Sequence, residues 1–147
     1  MLDLSTPASP TLACVLPITI AKPLWFTISG GNGYVVDQYE IAVLDLSDPA
    51  SPTCGKAISA SSLQIQSFVN IAAYNDHVYA LCADHSVAVL ALAAQFELGL
   101  ATVLCEKAYG FDRPCGIVIV DGYAYVANLG NKISIFNVDK KIAPTAR

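Results

Sequence analysis

The sequence predicts an all-β chain built from a four-strand unit repeated about three times in 147 residues, and three observations carry that expectation. Tyr34, Tyr79 and Tyr125 stand 45 and 46 residues apart (79−34, 125−79), each opening a β-rich run: YVVD, YALCA and YVAN. Glycine, asparagine and aspartate cluster just before each tyrosine, in Gly30-Gly31-Asn32-Gly33, Asn75-Asp76 and Asp121-Gly122. Such residues accept positive φ cheaply and mark hairpins between apolar runs. Finally, residues 2–11 (LDLSTPASPT) and 44–53 (LDLSDPASPT) share nine identities in ten at an offset of 42 (44−2). Self-similarity at such a period signals a solenoid, propeller or array.

The unit is clearest at residues 121–138 (DGYAYVANLGNKISIFNV), two apolar runs around a polar turn. Taken in order, an inner strand is expected at residues 26–28, 71–73 and 117–119, before the turn. A second strand opens at each tyrosine. A third follows at residues 41–46 (IAVLDL), 87–92 (VAVLAL) and 133–138 (ISIFNV), again 46 apart. Pro7 and Pro10, and Pro49 and Pro52, then break the sheet, since proline donates no ladder hydrogen bond. A fourth strand is expected after each break, at about residues 12–17, 54–58 and 100–107. Only Ala143-Pro144-Thr145 remains of the break in the last copy, with no fourth strand after it.

Apolar residues make up 54% and charged residues 14% of the chain, against roughly 45–50% and 25% in an average soluble domain. The excess suits strands buried on both faces. One domain spanning 1–147 is expected, with residues 1–18 as trailing strands of a unit, then units at 23–58, 68–107 and 114–147, the last without its outer strand. No apolar run reaches the length of a membrane span, and no secretory signal is visible. With a net charge of −4 and scattered Lys and Arg, the chain shows no electrostatic footprint for nucleic acid. Cys14, Cys54, Cys82, Cys105 and Cys115 form an odd set without Cys-x-x-Cys spacing. They read as reduced core residues. Compartment is not legible.

Four strands per unit at this period make a β-propeller blade. Tyr125-Val126-Ala127-Asn128 with Leu129-Gly130 and Ile133-Ser134-Ile135 resembles the YVTN-type propeller repeat. The LDLSDPASP stretch with the preceding Ile41-Ala42-Val43 is similar to the LVIVD-type repeat, whose apolar strand ends in Asp and runs into a Pro-containing turn. These resemblances imply a propeller and no particular activity. The asparagine of the pattern is Asn128, but Asp37 and Cys82 stand at the equivalent places; the strand-ending aspartate is Asp3 and Asp45, then Ala91 and Asn137. Such drift fits turn capping better than shared chemistry. Propellers close with about four to eight blades, so three blades leave three expectations: a piece of a longer propeller, a homodimer completing a six-bladed ring, or an open arc.

Cys82-Ala83-Asp84-His85 is the one place where metal-capable side chains crowd. A Cys-x-x-His half-site without a second half is weak for zinc, and a buried thiol before a solvated turn explains it. His77, beside Asp76, has no Gly-x-Ser-x-Gly elbow to serve. The glycine-rich Gly30 to Gly33 turn lacks the helix and lysine of a phosphate loop. No catalytic, cofactor or metal residue is therefore assigned. Asp112 and Arg113, ahead of the last inner strand, are the candidate ligand contacts at a channel mouth, with mutual pairing as the simpler reading. Trp25 and the tyrosines are expected to pack between sheets.

The functional expectation is a non-catalytic binding or scaffold module whose loops carry specificity for an unidentified protein or small ligand. Two alternatives stay open. One is part of a propeller enzyme whose catalytic residues lie on blades outside this chain; the other is a truncated fragment without independent function.

Overall fold

The structure is a computed structural model that describes residues 2–3, 11–12, 14–48, 50–93, 97–104 and 110–139. It is nearly all β. The strands are β1 (Leu2–Asp3), β2 (Thr11–Leu12), β3 (Trp25–Ser29), β4 (Asn32–Val36), β5 (Glu40–Asp45), β6 (Thr53–Cys54) and β7 (Ile58–Ser59), followed by a single turn of 3-10 helix at Ser61–Leu63. Then come β8 (Phe68–Tyr74), β9 (His77–Cys82), β10 (Val87–Leu92), β11 (Leu98–Leu104), β12 (Pro114–Val120), β13 (Tyr123–Asn128) and β14 (Lys132–Asn137). No helix among the described residues is long and apolar enough to cross a membrane.

The strands form three antiparallel meanders: β3-β4-β5 with β6 and β7 both on β5, β8-β9-β10-β11, and β12-β13-β14. These are blades of a β-propeller, three in number, and the repeat seen in the sequence is their register. Tyr34 pairs with Val43, Tyr79 with Val89 and Tyr125 with Ile135. The expected turns close the inner hairpins, with positive φ at Gly30 and Gly31 (58° and 78°), at Asn75 (50°), and at Asp121 and Gly122 (49° and 74°). Only glycine, and with more cost asparagine or aspartate, holds that conformation routinely. The inner strands β8 and β12 each carry a register shift at the same place, which leaves Val69 and Cys115 (115−69 = 46) as the extra residues. At the start of the chain, β1 and β2 pair Leu2 with Leu12 and Asp3 with Thr11, repeating the Leu44–Cys54 and Asp45–Thr53 pairs of β5 and β6. The identity of residues 2–11 with 44–53 is therefore an identity of structure at both ends of that stretch.

Alternation along each strand divides every sheet into two apolar faces. Tyr34, Val36, Ile41 and Val43 of the first sheet pack against Ile71, Val78, Ala80, Ala88 and Leu90 of the second. On its other face the second sheet presents Tyr79, Leu81, Val87 and Val89 to Ala124, Val126 and Phe136 of the third. Phe136 stands between Tyr79 and Phe111, ring centroids 6.5 and 6.0 Å away, in the tilted and edge-on arrangements aromatic rings favour. A third cluster joins Val35, Ala42 and Leu44 on the far face of the first sheet to Leu16, Ile18 and Ile20. Among the described residues, the middle sheet alone is covered by another sheet on both sides. Adjacent hairpin turns also touch, where Ser29 Oγ donates to the Asn75 carbonyl at 3.2 Å.

Several expectations are corrected. The fourth strand expected at residues 12–17 is only Thr11–Leu12, and residues 14–18 are not extended into a ladder. Pro17 breaks it, and Leu16 and Ile18 turn onto the face of the first sheet instead. The strand expected at residues 54–58 is split into β6 and β7 around Gly55 to Ala57. That expected at 100–107 begins earlier, as Leu98–Leu104, and residues 105–107 lie outside the described residues, as do the polar tail from 140 and Cys105. Cys82 is a core thiol and Cys54 is half-buried, but Cys115 is exposed. It is the bulge residue of β12, and the bulge turns its thiol to the Ala127 carbonyl, 3.4 Å away.

The Tyr34 hydroxyl is buried with no hydrogen-bond partner among the described residues. Removing a buried polar atom that has no partner is close to neutral or favourable, whereas emptying an aromatic site costs about 3–5 kcal/mol. Tyr34→Phe is therefore expected to leave the urea midpoint unchanged or raise it, and Tyr34→Ala to lower it sharply.

Candidate functional site

The three inner strands lie side by side, β8 between β3 and β12. Together they line an open trough of about 370 Å³ formed by residues 25–28 of β3, 70–73 of β8 and 117–119 of β12. None of these side chains is charged, and only Thr27 and Asn70 are polar. Trp25, Phe26 and Ile28 are 48%, 52% and 59% exposed. Trp25 was expected to fill a gap between sheets; β3 instead leaves it on the trough wall, since among the described residues no inner strand lies beyond β3 on that side. The walls are strands, so strand residues and not loops shape the concavity.

Asp112 and Arg113 stand immediately before β12, at the strand's entry, and do not line the trough. Arg113 Nε lies 3.8 Å from Asp112 Oδ1, with both side chains well exposed, Arg113 at 59% and Asp112 at 42%. Such a pair contributes little to stability. Their placement is set by Asn128. The Asp112 N–H donates to Asn128 Oδ1 at 2.9 Å, and Asn128 Nδ2 faces the Val126 carbonyl at 3.0 Å and Ser134 Oγ at 3.1 Å. Ser134 Oγ donates onward to the Gly110 carbonyl at 3.2 Å. The Asp112 carboxylate also rests directly over Gly130, where a Cβ would collide with it. Asn128 is thus buried as the post of this loop. At the equivalent position Asp37 does a different task, accepting the N–H groups of Tyr39 and Glu40 at 2.7 and 2.8 Å, and Cys82 faces the core.

Cys82, Asp84 and His85 are not brought together. The Cys82 thiol is buried against the first sheet, and Asp84 caps its own turn by accepting the Ser86 N–H and hydroxyl at 3.0 and 2.6 Å. His85 occupies the left-handed turn position at φ 67°. Among the described residues no group of three or more His, Cys, Asp and Glu is placed to hold a metal ion. Asp76 and His77 are exposed in the β8–β9 hairpin. Burial pushes the Cys82 thiol up from 9.0 to about 11. Tyr34 and Tyr79 are raised by burial as well.

The strand-ending position of the third strand has a local task in two sheets. Asp45 Oδ1 accepts the Ser47 N–H at 2.9 Å, and Asn137 Oδ1 accepts the Asp139 N–H at 3.0 Å. The Ser47 hydroxyl first, and the Ser47 N–H second, hold the Asp45 carboxyl below the usual aspartate range. An apolar third strand closed by this cap, after a hairpin with a left-handed turn, describes residues 26–56 and 113–139, and both stretches match the family model of the LVIVD repeat. These two stretches are similar to the LVIVD repeat. No curated protein matches it. The middle sheet lies outside the two matched stretches, and Ala91 stands where the LVIVD repeats have their capping residue. Its strands nonetheless keep the register of the other two sheets, Tyr79 opposite Val89 as Tyr34 is opposite Val43 and Tyr125 opposite Ile135.

Asn128→Ala is expected to cost about 1–3 kcal/mol, because it removes the hydrogen bonds of a buried amide and leaves the half-buried Asp112 N–H without its acceptor, and urea denaturation checks it. For Cys82 the folded-state value lies above the free one, so its contribution is complete below about pH 9 and is lost as pH rises through 11. The loss is on the order of 2–3 kcal/mol, added to that from Tyr34 and Tyr79. Unfolding free energy measured across pH 8 to 11 should fall accordingly, and less steeply in Cys82→Ala than in the unchanged chain. At neutral pH a thiol reagent should label Cys115 and spare Cys82 until the chain unfolds.

Proposed function

We propose that this chain is a non-catalytic binding module that takes an apolar ligand, or an apolar side chain of a protein partner, in the trough between its inner strands. The observation that carries this reading is the trough itself, uncharged and walled by Trp25, Phe26 and Ile28 on one side and residues 117–119 on the other. Concave sites lined mostly by apolar side chains, with a few polar groups to orient the ligand, are the usual form of small-ligand pockets. Asn70 and Thr27 supply such groups here. Asp112 and Arg113, at the entry of β12, are proposed to add a charged contact for a ligand that extends beyond the trough.

Trp25 is the only tryptophan, so its fluorescence reports on the trough directly. Titration with anilinonaphthalene sulfonate is expected to give saturable quenching or energy transfer from Trp25. Ile28→Lys, at an exposed wall position, should weaken binding at least about tenfold, equivalent to ~1.4 kcal/mol, without moving the thermal midpoint. Unsaturable binding, or equal binding by Ile28→Lys, would contradict the reading.

A further inference from the structure

Each sheet of the chain has one face that receives the next sheet, and the repeat fixes which residues form it. In the first sheet these are Tyr34, Val36, Ile41 and Val43, covered by the second sheet; in the second they are Tyr79, Leu81, Val87 and Val89, covered by the third. The equivalent residues of the third sheet are Tyr125, Ala127, Ile133 and Ile135, and no other sheet among the described residues covers them. Ile133 and Ile135 are 66% and 58% exposed, and Val118, Val120, Tyr123 and Tyr125 extend the same bare face. Cross-strand pairing sets Val118, Tyr125 and Ile135 in one row. Contiguous exposed apolar surface of this kind marks an interaction site.

The chain also carries the complementary half. Between the first two sheets, Leu63 and Ile65 of the connecting segment pack into the shared core beside the second sheet. Ile18 and Ile20 lie 45 residues earlier (63−18, 65−20) and pack in the same way beside Val35, Ala42 and Leu44 of the first sheet. This third cluster is therefore built as the entering side of a sheet-to-sheet core, with a connecting segment in place and, among the described residues, only the two short strands β1 and β2 ahead of it and no full sheet packed into the cluster. One end of the stack is a receiving half without a guest, and the other an entering half without a host.

We propose that the two halves join between copies of this chain: the bare face of the third sheet receives the first sheet of a second copy, head to tail, and the reciprocal contact closes a ring of six sheets. A contact of this heterologous kind either closes or grows into filaments. Six sheets fall within the range of about four to eight at which propellers close. The inference rests on the repeat register and not on the trough's being a binding site, so either can fail while the other stands.

The test is native mass by light scattering across a concentration series, on the full chain and on variants whose fold is checked by circular dichroism. The unchanged chain should run at twice its 15.5 kDa. Ile135→Lys on the receiving face and Ile18→Lys on the entering side should each run as monomers, with Ile133→Lys and Leu16→Lys as second choices if either fails to fold. Because each variant keeps one intact half, an equimolar mixture of Ile135→Lys and Ile18→Lys should return a dimer. A monomeric unchanged chain, or open-ended growth, overturns the proposal. So does a dimer that Ile135→Lys breaks and Ile18→Lys leaves whole, which would mean two third sheets stacked back to back.

Discussion

The constraint on which this molecule depends is that a sheet apolar on both faces has to be covered on both. Alternation in β9 and β10 sends Tyr79, Leu81, Val87 and Val89 one way and Val78, Ala80, Ala88 and Leu90 the other, and all eight are buried. Burying each large aliphatic or aromatic side chain contributes about 1.5–3 kcal/mol. A lone meander of this composition would leave nearly all of that unrealised, and one covered on a single face about half. Stacking is what makes the composition workable, and the low fraction of charged residues follows from it, since few positions face solvent on either side of a middle sheet.

From the same constraint comes the shape of the inner edge. Sheets stacked face to face bring their first strands together, so β3, β8 and β12 meet along one side and the trough is a by-product of stacking. Its lack of charged side chains has a local cause as well: the inner strands carry runs such as FTI, IAA and IVI, which serve the sheet cores on one side and the trough on the other. The bulges at Val69 and Cys115 mark where those strands change direction as they enter the sheet. A β-bulge bends its strand and strengthens the local twist.

The blades were legible because their signals are local. Hairpin turns depend on glycine, asparagine and aspartate at left-handed positions, and the 46-residue recurrence is visible in Tyr34, Tyr79 and Tyr125 without any coordinates. Residues 14–20 were not legible as a covering segment, because Leu16, Ile18 and Ile20 alternate just as a strand does. Only the neighbouring face decides whether such alternation is spent on a ladder or on a core. Trp25 was misplaced for a related reason: an aromatic residue on an inner strand packs or stands exposed according to which sheet lies beyond it. Asn128 was noticed as part of a repeat pattern, yet its hold on Asp112 spans 16 residues and emerges only once β12 and β13 are paired.

The central claim is that coverage by neighbouring sheets, more than strand pairing within each sheet, sets the order of stability along the chain. Amide hydrogen exchange read by mass spectrometry tests it most directly, in the Ile135→Lys chain, where the third sheet keeps an open face. The account expects the slowest exchange in β9 and β10, intermediate exchange in β4 and β5, and the fastest in β13 and β14, since local opening is governed by buried apolar contact. Equal protection in β9 and β13, or greater protection in β13, would contradict it, because both strands have a hydrogen-bonded partner on either side and differ chiefly in what covers their faces.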